Sequence, residues 1–165
     1  VCQSSSIQLV YHPLAFYAAY FSIRAKAFDL RIMTGDLKTQ MTEFNRIKAL
    51  DRGASPKDKD LMSALEVSME MYQRGYRFVN VDIQHSEARR FSIKDGALLP
   101  PFLAIDSLGE TVADAIVAER EERPFTSLKD LQRRCKVSNT IIDLMKELKC
   151  CGELPEDEQM SLFGA

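Results

Sequence analysis

The chain has 165 residues, 45% of them hydrophobic and 28% charged, the composition of one or two small globular domains and not of a disordered tail. The 22 Lys and Arg against 24 Asp and Glu leave a formal charge of −2, which excludes strong free-standing electrostatic capture of a polyanion. No apolar run approaches the roughly 18 residues of a membrane-spanning helix, so no membrane contact is expected. Val1, Cys2, Gln3 and a serine triplet do not read as a secretory signal, and a cytoplasmic setting is expected. The start on Val1 rather than Met points to a fragment, and residues 1–10 are left unassigned.

His12-Pro13 opens the first predicted helix, with proline where no donor is lost. Leu14, Phe16, Tyr17, Tyr20, Phe21 and Ile23 are apolar around more than one stripe, which predicts a largely buried helix to about Phe28. Asp36 reads as the N-cap of a second helix to about Leu50, ended by Gly53, with Met41, Phe44 and Ile47 on its apolar face. Ser55-Pro56 starts a third, to about Arg74 and Gly75, striped by Leu61, Leu65, Met69 and Tyr72. The period then changes. Phe78, Val79, Val81 and Ile83 suggest one strand, Arg90 to Lys94 another, and Asp95-Gly96 a tight turn.

Beyond Pro100-Pro101 a short apolar segment, Phe102 to Ile105, is followed by a break at residues 106–109 and a helix over about residues 110–121. Pro124 ends it, Ser127 caps another helix, and Ser138 caps the last, which runs to about Cys150 before Gly152. The fold class expected is therefore mainly α with a small β-hairpin element. Its parts are a helical segment (11–75), the β element (76–99), a second helical region (100–152) and a flexible acidic tail (153–165).

Charge is uneven along the chain. From residue 151 onward there are four acids, Glu153, Glu156, Asp157 and Glu158, and no base, which leaves a mildly basic body. Arg24, Lys26 and Arg31 form one basic cluster, Arg46, Lys48, Arg52, Lys57 and Lys59 another, and Arg89-Arg90 and Arg133-Arg134 are adjacent pairs. Their plain reading is solvated helix faces. Cys2, Cys135, Cys150 and Cys151 lack the spacing of a zinc site and read as reduced thiols.

Two motifs carry chemistry. In residues 103–116 two short helices are joined by a tight turn, and the pattern resembles a helix-hairpin-helix motif. Ser107, Leu108, Gly109, Glu110 and Thr111 form its candidate DNA-binding turn. Free amides of Gly109, Glu110 and Thr111 at a helix N-terminus suit a phosphate held without sequence readout, while small Ala113 lets the helices pack. Ser107 stands where the pattern has glycine, and Glu110 places an acid beside the phosphate. A plain helical hairpin is the other reading of these residues. The second motif, Gln159, Met160, Ser161, Leu162 and Phe163, puts apolar residues on a polar tail and resembles the bacterial sliding-clamp-binding peptide. Docking of Leu162 and Phe163 on the chain's own core is its alternative.

Order and spacing add specificity. The run from His12 to Phe21, then Asn80-Val-Asp-Ile-Gln-His-Ser86, residues 99–105, residues 125–131 and the terminal peptide together resemble the C-terminal region of the bacterial DNA polymerase III α subunit of the PolC type, a C-family replicative DNA polymerase. The resemblance implies a fingers segment at residues 11–75, sequence-independent duplex contact by the hairpin, and clamp tethering by residues 159–163. It also implies a partner in the remainder of the polymerase, whose Mg²⁺-binding palm acids precede this region. Asp82 and Asp106 read as structural, so no cofactor or catalytic residue is expected in this chain and no nucleotide addition by it alone. A non-enzymatic clamp-binding adaptor, or a helix-hairpin-helix module of a DNA repair enzyme, are the alternatives.

Overall fold

The computed structural model describes residues 12–157. Helix α1 (Pro13–Ile23) ends earlier than the predicted Phe28, because Arg24 leaves the helical region and a 3-10 turn (Ala25–Ala27) takes over. The one-turn helix α2 (Leu30–Met33) follows, with the Asp29 carboxylate accepting from the Ile32 amide at 3.1 Å. Helices α3 (Leu37–Leu50) and α4 (Pro56–Gln73) begin at the predicted caps: Asp36 accepts from Thr39, and Ser55 and Asp58 form a reciprocal capping box. Asp51, at φ 44°, ends α3, and a 3-10 turn over Asp51–Gly53 links the pair.

The buried faces differ in part from the expected stripes. Met41 is 50% exposed, and α4 buries Ser68 and Met71 while Met69 lies at the edge. The reason is a polar chain between the helices. Gln40 donates to the Met33 carbonyl at 3.0 Å and accepts from the Ser68 hydroxyl at 2.7 Å, while the Tyr72 hydroxyl donates to Met33 at 2.8 Å. This chain rotates the pair so that satisfied polar groups face inward.

The two-stranded sheet pairs β1 (Ser92–Lys94) with β2 (Ala97–Leu99) antiparallel, across a turn whose Asp95 and Gly96 both have positive φ, 50° and 76°, as a primed turn requires. The strand expected at residues 78–83 reduces to an isolated bridge between Phe78 and Leu98. Asp82 diverts the chain: its carbonyl accepts from Ser86 at 2.8 Å and its carboxylate from the Gln84 amide at 2.8 Å, closing a turn instead of a ladder. Phe21, Phe28, Phe78 and Phe91 meet edge to face or tilted at 4.9–6.2 Å, so the aromatic run of α1 is core, as expected.

A 3-10 turn (Phe102–Ala104) leads into α5 (Glu110–Glu122), followed by α6 (Leu128–Cys135) and α7 (Asn139–Glu147). The last helix ends short of the expected Cys150, where Lys149 turns to φ 56°. One contiguous core runs from Tyr17 to Cys151, so the expected segments share a single interior. Residues 153–157 are not loose as expected. The carbonyls of Pro155 and Glu156 accept from the Leu128 and Lys129 amides at 2.9 and 3.2 Å, filling the N-terminus of α6. Lys146 pairs with Glu156 at 2.6 Å, and Lys129 with Asp157.

Candidate nucleic-acid interface

The first helix of the expected hairpin is only the 3-10 turn Phe102–Ala104, closed by Ile105 donating to Phe102 at 3.0 Å. The turn that follows has the geometry its residues require. Ser107 sits at φ 63°, the left-handed conformation for which the pattern uses glycine, so serine keeps the turn tight at some backbone strain. Leu108 is 5% exposed and pins the turn to the core. Gly109 is the extended N-cap of α5, and its carbonyl accepts from Ala113 at 3.0 Å. Ala113 and Ile116, both 0% exposed, turn the helix onto the core.

No side chain caps α5, and no hydrogen bond among the described residues engages the amides of Gly109, Glu110 or Thr111. A Cβ built on Gly109 would meet nothing within 4 Å. Glycine is therefore not demanded by crowding inside the fold. It leaves the backbone bare to whatever approaches from outside. Free amides, a helix dipole and an unshielded backbone together make a place for an anion.

Glu110 is not idle beside this turn. Its carboxylate takes Lys26 at 2.8 Å and Arg89 at 2.8 Å, and Arg89 also chelates Asp114, with Nε at 3.0 Å. The hydrogen bond and charge of Lys26, with the charge of Arg89, hold the Glu110 carboxyl below its ordinary range. Lys26 comes from the turn after α1, so the helical segment reaches the hairpin. Between them lies a groove of about 430 Å³ lined by Lys26, Arg31 and Lys57 on one side and Asp106, Ser107 and Leu108 on the other.

A second turn of the same backbone form was not singled out by sequence. Lys136 takes φ 54°, Val137 is 4% exposed, and Ser138 caps α7 at φ −71°, ψ 156°, against φ −73°, ψ 154° at Gly109. The signal that could have found it is the repeated order of polar residue, buried aliphatic and N-cap. Its left-handed residue is a lysine, which composition alone does not mark.

The remaining candidates fall as follows. Asp82 holds its turn and pairs with Lys94 at 2.8 Å and His85 at 2.7 Å, and Asp106 is exposed. Arg133 and Arg134 point at the buried Asp130, at 3.0 and 3.4 Å, and Arg134 also reaches Glu119 at 2.9 Å, so that basic pair serves the interior more than a ligand. Cys135, Cys150 and Cys151 are free and buried, and burial pushes Cys135 to about 11 and Cys150 to about 12. Among the described residues no three His, Cys, Asp or Glu side chains converge as a metal-holding group, and no step is routed through a metal. No helix among them is long and apolar enough to cross a membrane. Gln159, Met160, Ser161, Leu162 and Phe163 lie outside the described residues.

A buried-aliphatic turn feeding an uncapped helix N-terminus defines a class, and the comparison with known families agrees: the chain belongs to the helix-hairpin-helix motif family, whose match covers residues 75–159. Over nearly its whole length the chain is also similar to proteins named DNA polymerase III PolC-type. It is 43% identical to that of Caldanaerobacter subterraneus subsp. tengcongensis over 154 residues, and 45% and 43% identical over 157 residues to those of Streptococcus suis and Streptococcus pyogenes serotype M12. Each match covers 93% of this chain and 11% of the relative, so the chain spans about a ninth of these relatives' length.

Proposed function

We propose that the chain is the part of a PolC-type replicative DNA polymerase that holds the product duplex by its backbone and tethers the enzyme to the sliding clamp. The observation that carries the reading is the bare N-terminus of α5. It offers free amides and an open Gly109 behind a turn locked by Leu108. Such a site binds phosphate without reading bases, as a polymerase that must move along any sequence requires. The turn at Lys136, Val137 and Ser138 offers a second contact of the same kind. The similarity to PolC-type proteins supports the replicative setting. Palm acids and their Mg²⁺ would lie elsewhere in such an enzyme, and the setting would be cytoplasmic.

Clamp tethering rests on Gln159, Met160, Ser161, Leu162 and Phe163. They follow closely on the segment anchored to α6 by Pro155 and Glu156. A short, anchored tether keeps the effective concentration of the clamp high at a modest peptide affinity.

Duplex titration of the chain at several salt concentrations tests the grip. The expected result is log K falling linearly with log salt, by about 0.9 per phosphate contact. Gly109→Leu, which the open space around Gly109 accommodates, should weaken binding by roughly tenfold or more, the loss expected when a pair of charge-assisted hydrogen bonds is blocked. Its melting temperature should stay that of the wild type. Removing residues 159–163 should abolish clamp binding and leave the duplex isotherm in place. Binding indifferent to Gly109→Leu would refute the hairpin grip.

A further inference from the structure

Glu110 stands where a phosphate contact would least tolerate an acid, one residue inside the bare N-terminus of α5. Yet its carboxylate is held from two directions by cations of other elements, Lys26 at 2.8 Å and Arg89 at 2.8 Å. Glu110 is the only ion-pair partner of Lys26 among the described residues, and Arg89 divides its guanidinium between Glu110 and Asp114. All of these side chains are solvent-exposed to a large degree, from 43% for Glu110 to 74% for Lys26, so each pair is weak and can be exchanged. A carboxylate and a phosphate oxygen accept the same charge-assisted hydrogen bonds from lysine and arginine.

We propose that Glu110 is an internal stand-in for a DNA phosphate, holding Lys26 and Arg89 at the mouth of the hairpin until a nucleic-acid backbone takes them over. This rests on the hairpin grip proposed above and adds two residues to it, one of them from the helical segment. In the free protein the pairs keep the cations oriented and the local charge balanced. On binding, the phosphate held by the amides of Gly109 and Thr111 displaces the carboxylate from Lys26 and Arg89. The exchange trades weak pairs for weak pairs, so it tempers affinity while preserving the position of both cations. A grip that must release at every step gains from such tempering.

The test is duplex titration of the chain across salt concentrations, with Glu110→Gln, and with Glu110→Gln and Lys26→Ala together, checked for folding by thermal melting. Glu110→Gln should bind roughly three- to tenfold tighter, the equivalent of one or two exposed pairs no longer broken on binding. It should also steepen the salt slope by about 0.9 for each cation freed to meet a phosphate. Adding Lys26→Ala should take back about 0.9 of that steepening. If Lys26 merely supports Glu110, the double variant keeps the slope of Glu110→Gln, and the exchange is overturned for Lys26. If Glu110→Gln alone leaves affinity and slope unchanged while Gly109→Leu still abolishes binding, the grip stands and the exchange fails. If neither the wild type nor Glu110→Gln binds duplex, the grip itself fails and the exchange with it.

Discussion

Residues 12–75 and residues 100–157 feed one core but dispose of their charge in opposite ways. The first region is closed by aromatic contacts. Phe21 touches Phe28, Phe78 and Phe91 and is 0% exposed, and Lys48, Arg52, Lys57 and Lys59 have no ion-pair partner among the described residues. The second spends its charges internally. Asp130 is 2% exposed and gathers Arg123, Arg133 and Arg134, Arg134 lies over the Phe125 ring at 4.9 Å, and Arg120 donates to the Ile83 and Ser86 carbonyls at 3.0 and 2.8 Å. The contrast explains how a region proposed to hold DNA can carry so little free positive charge. Its anion site is made of backbone amides, and its arginines are structural.

The contrast breaks most visibly at Phe21. Phe21→Ala empties the centre of the aromatic cluster and should lower stability by about 4 kcal/mol, read by chemical denaturation. A loss below about 1 kcal/mol would mean that the first region does not depend on aromatic packing. Asp130→Ala should follow, with a loss of about 3 kcal/mol, because it strands the guanidinium of Arg134, itself only 11% exposed. Arg123 and Arg133 reach solvent and soften the effect.

Asp130 also gives a pH signature. Burial pushes its carboxyl up, but the Thr126 amide and the three guanidiniums outweigh burial and hold it below the ordinary 3.8. Its folded-state value is depressed, so its contribution is present above that ordinary value and fades as pH falls through the lowered one. The stability gap between the wild type and Asp130→Asn should be full at neutral pH and close below about pH 4. A gap unchanged down to about pH 2 would place the stabilisation elsewhere.

Much of the first region was legible because its signals are local. Asp36, Ser55, Pro56 and Gly75 mark helix ends through hydrogen bonds within a few residues, and the structure places them there. The buried faces of α3 and α4 were less so. Gln40 and Ser68 are polar in sequence, and only their contact across 28 positions makes them interior. The strand expected at residues 78–83 failed for a related reason, since alternation was read without the Asp82 carboxylate that closes a turn there. The hairpin turn was found by its glycine, and Ser107 looked like a defect until its φ of 63° showed the backbone unchanged. The salt links of Glu110 to Lys26 and Arg89, 84 and 21 positions away, have no local signature.

Ser107 provides the smallest test. Ser107→Gly removes a left-handed serine and should raise stability by about 0.5 kcal/mol, the relieved strain being partly offset by the freer unfolded chain. Duplex affinity should change by less than about twofold, since the backbone contacts remain. Ser107→Val at the same position should lose about 1–2 kcal/mol.

The central claim is that backbone amides at the start of α5 hold the duplex, and amide chemical shifts read it directly. Titrating the labelled chain with a short DNA duplex should shift the Gly109, Glu110 and Thr111 amides first and most. The Lys136–Ser138 turn should follow, with smaller changes on the solvent face of α3. Large shifts on the exposed lysines of the helical segment, with Gly109 to Thr111 unmoved, would contradict the account and assign DNA contact to side-chain charge instead.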